Sequence, residues 1–329
     1  MSNAIRRIQW ERSEVQVKRM ELNALKGGFA KRLRKDIVAR PTVYIFALIV
    51  MIYYILFHYL PMSGLVIAFQ NYKPSRGIWG SDFIGLTNFI DFIDSRSFPG
   101  VIFNTLILNG LQLLFNFPAP IIFALLLNEV RSVRYKRTIQ TVSYMPHFLS
   151  LMVMCGMLVD FCRTDGLFNQ IGALFGAEPT ALLSQSKYYR TIYVGSGIWQ
   201  ELGYSSIIFL SALTGIDQQL YDAASIDGAN RFQKMIHVSL PGIAATVVIM
   251  LIMRIGKMMS LGFEKTILLY NASTYDVADI ISSFVYRRGL LDLDYGFGAA
   301  VDLFNSIVNF SLLIFANSMS RKVTGTSLY

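Results

Sequence analysis

Four groups of polar residues stand inside otherwise apolar stretches of this 329-residue chain, and their types and spacing suit gripping a ligand more than transforming one. Thr105, Asn109, Gln112 and Asn116 follow in steps of four, three and four, which sets them on one face of a helix. Asp302, Asn305 and Asn309 repeat that arrangement. Trp199-Gln200-Glu201-Leu202-Gly203-Tyr204 brings an aromatic platform, an amide and a carboxylate within a turn and a half. An aromatic face beside hydrogen-bonding groups suits a ligand that has both an apolar face and a polar rim. Arg254 and Lys257, on successive turns, need a carboxylate: Glu201, Asp302, or an anionic ligand such as a uronate. Each asparagine row is either the lining of a polar path or the hydrogen-bonding glue between helices. Trp199 is either a ligand contact or an interfacial tryptophan with Glu201 reaching water.

The groups that would make a catalyst do not occur. There is no Gly-x-x-x-x-Gly-Lys-Ser/Thr phosphate loop, and the Gly256-Lys257 pair is followed by Met258. Gly-x-Gly-x-x-Gly, His-Glu-x-x-His and Gly-x-Ser-x-Gly are missing as well. His58, His147 and His237 are scattered without metal-ligand spacing. Cys155 and Cys162 are seven residues apart, about 10 Å along a helix, too far for a disulfide, and read as packing thiols. The expectation is a non-catalytic chain that holds no metal and no cofactor.

What must position these residues is a membrane bundle. Hydrophobic residues make up 53% of the chain and charged residues 16%, a balance foreign to soluble proteins of this size. Six stretches are long enough to cross a bilayer: 42–68, 101–127, 139–159, 191–214, 239–262 and 299–320. The first three carry no Asp, Glu, Lys or Arg and do not alternate as barrel strands do, so the expected fold is all-α with six transmembrane helices. About forty polar residues precede the first span, so no signal peptide is read and the amino terminus is expected to stay in the cytosol. With that orientation the cytosolic pieces 1–41, 128–138, 215–237 and 321–329 hold 19 Lys or Arg, against 9 in the outer loops. The positive-inside rule then places both termini in the cytosol, and anionic lipid accounts for the net charge of +9 without nucleic acid. The domain reading is a basic segment 1–41, a six-span domain 42–320 with a cytosolic loop at 218–241, and a tail 321–329. Lys31-Arg32-Leu33-Arg34-Lys35 is either a membrane-surface anchor or a solvated basic helix. The outer segment from Glu264 to Asp294 is long for a connector and is expected to form a structured loop over the outer mouth.

The polar island Asp222-Ala-Ala-Ser-Ile-Asp-Gly-Ala-Asn-Arg-Phe-Gln-Lys-Met-Ile-His-Val-Ser-Leu-Pro241 carries the most information. An acidic residue followed by Ala223 and Ala224 gives a small, close-packing helical face. Asp227-Gly228-Ala229 permits a sharp turn, and Leu240-Pro241 restarts a helix where a missing N–H costs little. Residue for residue, the island resembles the EAA loop of ABC importer permeases, with Asp222 in place of the usual glutamate and Val238 in place of the usual isoleucine. Ser143-Tyr-Met-Pro-His-Phe148, Gly215-Ile-Asp-Gln-Gln-Leu-Tyr221, Gly262-Phe-Glu-Lys-Thr-Ile-Leu-Leu-Tyr-Asn271, Asp276-Val-Ala-Asp-Ile-Ile281 and the ending Thr324-Gly-Thr-Ser-Leu-Tyr329 resemble the complex-carbohydrate branch of that family. Members of the branch include permeases for rhamnogalacturonan-type oligosaccharides and for alginate.

The resemblance implies a type I importer permease in a bacterial cytoplasmic membrane. Its partners would be a second homologous permease, two ATPase subunits that bind ATP and Mg, and an extracytoplasmic solute-binding protein, with a saccharide as cargo. Asp222, Ala223, Ala224, Asp227, Gly228, Ala229, Leu240 and Pro241 would transmit ATPase closure, a short rigid helix moving its span as a body. The cargo would be an oligosaccharide, with an anionic uronate among the options because of Arg254 and Lys257. The rival is a single-chain, ion-coupled secondary sugar transporter, which would call for paired repeats and midplane carboxylates and would leave residues 222–241 without a role.

Overall fold

A computed structural model of the full chain describes residues 29–259 and 262–324. The basic residues Lys31, Arg32 and Lys35 have side chains outside this description, as does the Thr324–Tyr329 ending. The described residues divide into two compact units, one ending at Gly64 and one beginning at Leu65.

Helix α1 (Phe29–Ala39) lies in the first unit and is followed at Pro41 by α2 (Pro41–Phe69), whose last residues, from Leu65, belong to the second. Proline suits the first turn because its missing N–H would have had no helical partner. The apolar side chains of α2 are exposed on every side, from Val43 to Met62. Such a surface is stable only against lipid or another protein.

The second unit is built on α3 (Phe98–Asn128), α4 (Val133–Phe148), α5 (Leu151–Phe161), α6 (Ser186–Thr214), α7 (Gln218–Ile226), α8 (Arg231–Gly242), α9 (Ala244–Ile255), α10 (Phe263–Leu269) and α11 (Tyr295–Thr324). A two-stranded antiparallel hairpin, β1 (Gln70–Asn71) with β2 (Asp82–Phe83), pairs Gln70 with Phe83. Helix α6 packs along the second half of α3, burying Ile121, Ala124, Leu125, Phe209 and Leu213. A second core joins α3, α5, α6 and α10 through Leu108, Met154, Tyr189, Tyr193 and Leu269, and holds both cysteines as buried free thiols. A third gathers Phe92, Val101, Phe284, Phe297 and Val301 at the start of α11.

Among the described residues, three helices are long and apolar enough to cross a membrane, and five if each of two bent pairs counts as one span. The expected continuous span 139–159 is one such pair: α4 and α5 meet at 95°. Pro146 ends the first helix in a short 3-10 turn, and Ser150 caps the second by accepting from the Val153 amide. The expected span 239–262 is also bent, by 61° between α8 and α9, and its helix stops at Ile255. Leu240-Pro241 does not restart that helix, because α8 already runs from Arg231 and the break follows Gly242. The stretch 191–214 lies within the longer α6.

Prolines set the local geometry of three helices. Leu60, Phe117 and Leu240, each just before a proline, donate their amides five residues back, to Ile55, Gln112 and Met235. A proline ring collides with the carbonyl four residues before it and has no N–H to offer that carbonyl. The turn widens into a single π turn, and the helix continues.

The segment after α9 is not an open loop. Lys265, Thr266, Thr274, Asp279, Ile280 and Ile281 are all buried. Arg287 makes two hydrogen bonds to the Asp279 carboxylate, at 2.5 and 3.3 Å, and lies over the Tyr275 ring. Ser283 donates to the same carboxylate at 2.7 Å. Removing one partner of a buried pair strands the other, so Arg287→Ala should cost about 3 kcal/mol, read as a lower unfolding midpoint in detergent.

Candidate functional site

The polar residues inside the bundle meet where α3, α4, α6 and α9 face one another. A cleft of about 290 Å³ there is lined by Asn116, His147, Glu201, Tyr204, Ser205 and Arg254 among apolar neighbours. The α4–α6 crossing creates it. At Gly203 a side chain would run into the Ser143 backbone, so glycine lets the two helices touch main chain to main chain. This contact sets His147 flat against Tyr204, with ring centroids 3.7 Å apart and planes 3° from parallel. His147 Nδ1 then lies 3.2 Å from Glu201 Oε1, and Ser205 donates to Glu201 Oε2 at 3.3 Å. The stacked pair forms an aromatic wall beside a carboxylate whose two oxygens both have partners.

Arg254 reaches the same cleft from α9 and donates to Gln112 Oε1 at 3.1 Å. It forms no ion pair with Glu201 or Asp302 among the described residues, so the expected internal bridge is replaced by a neutral amide. Behind Asn116 lies a second cation. Lys265 donates to the Tyr193 carbonyl at 2.7 Å and sits 4.7 Å over the Tyr193 ring. A Cβ on Gly197 would press on the Asn116 amide and come within 3.3 Å of Lys265 Nζ, so these three groups share one small space. Asn116 Oδ1 is buried and has no hydrogen-bond partner.

The other residues singled out in the sequence lie elsewhere. Asn109 is buried and donates to the Thr105 carbonyl at 2.8 Å, one turn back in its own helix. Trp199 faces a separate apolar cavity of about 410 Å³ with Met154, Met157 and Phe168, and Gln200 beside it is half-buried. On α11, Asp302 is exposed, Asn305 is buried, and Asn309 accepts from the Met259 amide at 2.9 Å. Lys257 is exposed just past the end of α9. Sequence reasoning missed His147 and Lys265. The first sat in the quoted Ser143–Phe148 motif, and the second lay three residues past Gly262, whose φ of +89° turns the chain inward. Among the described residues no group of three His, Cys, Asp or Glu is arranged to hold a metal ion.

The polar island forms a second site. Helix α7 starts on Asp217, which accepts from the Gln219 amide, and carries Asp222, Ala223 and Ala224. Asp227 follows it, and Gly228 at φ +77° ends the turn while the Ala229 amide bonds back to Ala224. Asn230 and Gln233 then form a reciprocal capping box that opens α8. Tyr221 bonds Ser239 at 2.9 Å, Lys234 donates to Ser225 at 2.6 Å, and Gly242 lies against Ile216. Leu240 and Pro241 complete α8 one turn above this hairpin. Leu220, Ile226 and Phe232 remain exposed on it, Ile226 at 88%.

A bundle of apolar helices around a polar cleft, with a rigid polar hairpin beyond it, defines a membrane transport protein. Residues 116–325 match the model of the binding-protein-dependent transport system inner membrane component, and the chain belongs to that family. It is a sugar ABC transporter permease of the inner membrane. Its relatives include the polygalacturonan/rhamnogalacturonan transport system permease protein YteP of Bacillus subtilis (strain 168), 40% identical over 91% of this chain and 94% of that protein. Protein LplB of the same organism is 41% identical over 85% and 88% of the two chains. Among solved structures, a bacterial ABC transporter involved in the import of the acidic polysaccharide alginate superposes with a TM-score of 0.83. Its identity is 39%, covering 89% of this chain and 99% of that one. A bacterial alginate ABC transporter in complex with an alginate pentasaccharide-bound periplasmic protein gives a TM-score of 0.84 at 38% identity, covering 90% and 100%.

Proposed function

We propose that this permease carries an acidic oligosaccharide inward as one half of an ATP-driven importer, and that the α3–α4–α6–α9 cleft is its share of the path. The observation that carries the reading is the cleft itself, where an aromatic wall, a carboxylate, an amide and a guanidinium face one small space. An aromatic face and hydrogen-bonding rim groups are what a pyranose ring requires. The acidic character of the cargo rests on relatives whose names specify polygalacturonan and alginate.

In this reading a second homologous permease closes the path from the other side, and α2, with its exposed apolar surface, lies against lipid or that partner. Two ATPase subunits, which hold the ATP and Mg, dock on the hairpin 218–241 through Leu220, Ile226 and Phe232, and an extracytoplasmic binding protein delivers the cargo. Six spans result when α2, α3, the bent pairs α4–α5 and α8–α9, α6 and α11 are each taken as one crossing. Both termini are then cytosolic.

The test is to purify the chain from its native membrane in mild detergent, identify the subunits that come with it, and assay ATP hydrolysis with and without saccharide-loaded binding protein. A second permease, an ATPase and stimulated hydrolysis are expected. Isolation of the chain alone, combined with sugar uptake driven by an ion gradient in liposomes, would establish the secondary-transporter reading instead.

A further inference from the structure

We propose that Arg254 and Lys265 together hold a single carboxylate of the cargo, with Asn116 as the third donor. The proposal rests on the cleft being the sugar path. Two positive side chains lie in this part of the bundle against one carboxylate, Glu201, whose oxygens are already engaged by His147 and Ser205. Among the described residues neither Arg254 nor Lys265 is within ion-pairing distance of an acid. Their partners are neutral, the Gln112 amide and the Tyr193 carbonyl. Two cations hydrogen-bonded only to neutral acceptors, with Glu201 as the one acid near enough to act on both, leave a positive excess in the bundle interior, and an arriving anion relieves that cost.

The geometry joins the two cations into one site. Gln112 and Asn116 stand at the two ends of the π turn in α3. Gln112 holds Arg254, while Asn116 meets Lys265 at Gly197. Tyr193 backs Lys265, its ring and carbonyl holding the ammonium while its hydroxyl donates to the Gly262 carbonyl. Lys265 is 8% exposed and uses one of its three N–H donors on Tyr193, so two remain for a ligand. Arg254 likewise keeps most of its five. Asn116 lines the cleft and its amide supplies N–H donors, although its buried oxygen, an acceptor, is left without a partner. Arg254 and Asn116 line the cleft beside the aromatic wall of His147 and Tyr204, and Lys265 stands behind Asn116, so the proposed carboxylate would sit against the guanidinium and the amide with the ammonium behind them.

The experiment uses the purified transporter with the subunits that accompany it and two probes of equal length, trigalacturonate and its carboxyl-reduced neutral counterpart, bound directly in equilibrium dialysis without binding protein. The wild type should favour the acidic probe by about tenfold, the effect of one charge-assisted contact. Lys265→Met and Arg254→Gln should each remove most of that preference by weakening the acidic probe alone, and Lys265→Arg should retain it. Equal weakening of both probes would mark the two cations as structural and overturn the proposal, as would a wild type that does not discriminate. Should Lys265→Met fail to assemble, Asn116→Asp serves, since an added negative charge must reverse the preference. Binding of neither probe would remove the cleft as a sugar path, a failure distinct from loss of charge selectivity.

Discussion

A transporter carrying Gly228→Val is expected to insert and assemble normally, yet to lose most of the ATP hydrolysis that saccharide-loaded binding protein stimulates. Gly228 sits at φ +77°, and nothing lies within 4 Å of where its side chain would begin. The substitution therefore acts through the backbone alone. A β-branched residue held in the left-handed region costs roughly 1–2 kcal/mol, enough to favour another turn by about five- to thirtyfold. That turn places Asp227 and Ala229 against α7 and delivers Asn230 to its capping box. With the turn changed, the surface made by Leu220, Ile226 and Phe232 loses its shape while the spans above keep theirs. Gly228→Trp adds bulk to the same strain and should be at least as severe. Stimulated hydrolysis equal to wild type in both variants would remove this hairpin from the coupling role.

The second large effect is expected at Gly203. A methyl group there would overlap the carbonyl carbon and oxygen of Ser143, which are main chain and cannot rotate away. Helices α4 and α6 must separate, and overpacking of this kind costs about 1–3 kcal/mol or more. The same displacement pulls His147 from Glu201 and from the face of Tyr204, so transport should fail together with stability. Gly197→Ala supplies the control, because the obstacle there is the end of the Asn116 side chain rather than main chain. We expect Gly203→Ala to lower the unfolding midpoint by several degrees and Gly197→Ala to change it little, with cleft binding altered in both. Equal midpoints for Gly203→Ala and wild type would mean that the crossing is looser than its geometry.

Much of this molecule is legible in its sequence, and the illegible parts have definite causes. The helical class follows from charge-free apolar runs, and the hairpin from Asp222-Ala-Ala and Gly228, because these are local properties. The course of the helices is less local. Pro146 and Ser150 bend one pair by 95°, whereas Pro118, just as prominent in the sequence, is absorbed by a π turn inside a continuous helix. Helical stepping put Asn109, Gln112 and Asn116 on one face, but the π turn from Gln112 to Asn116 inserts an extra residue and alters the phase. Asn109 turns into the bundle while Asn116 looks into the cleft. Trp199 and Glu201 are two residues apart on one helix, about 200° around its axis, and so cannot serve the same cavity. Lys265 follows the fifth apolar run and reads as outward-facing, yet it is buried three residues past the left-handed Gly262.

The bend between α8 and α9 changes what a push on the hairpin can accomplish. A straight helix would pass the load along its length and slide the span as a piston. With a 61° break at its base, held against Ile216 and tied by Tyr221 to Ser239, the same load arrives off-axis. In the proposed coupling role, such a joint would turn displacement below into rotation above. Arg254 rides near the far end of that arm, about 16 Å from the elbow, where a swing of about 10° moves it by about 3 Å. Such a stroke is as long as the hydrogen bond that joins Arg254 to Gln112. A swing of that size would break the Arg254–Gln112 hydrogen bond.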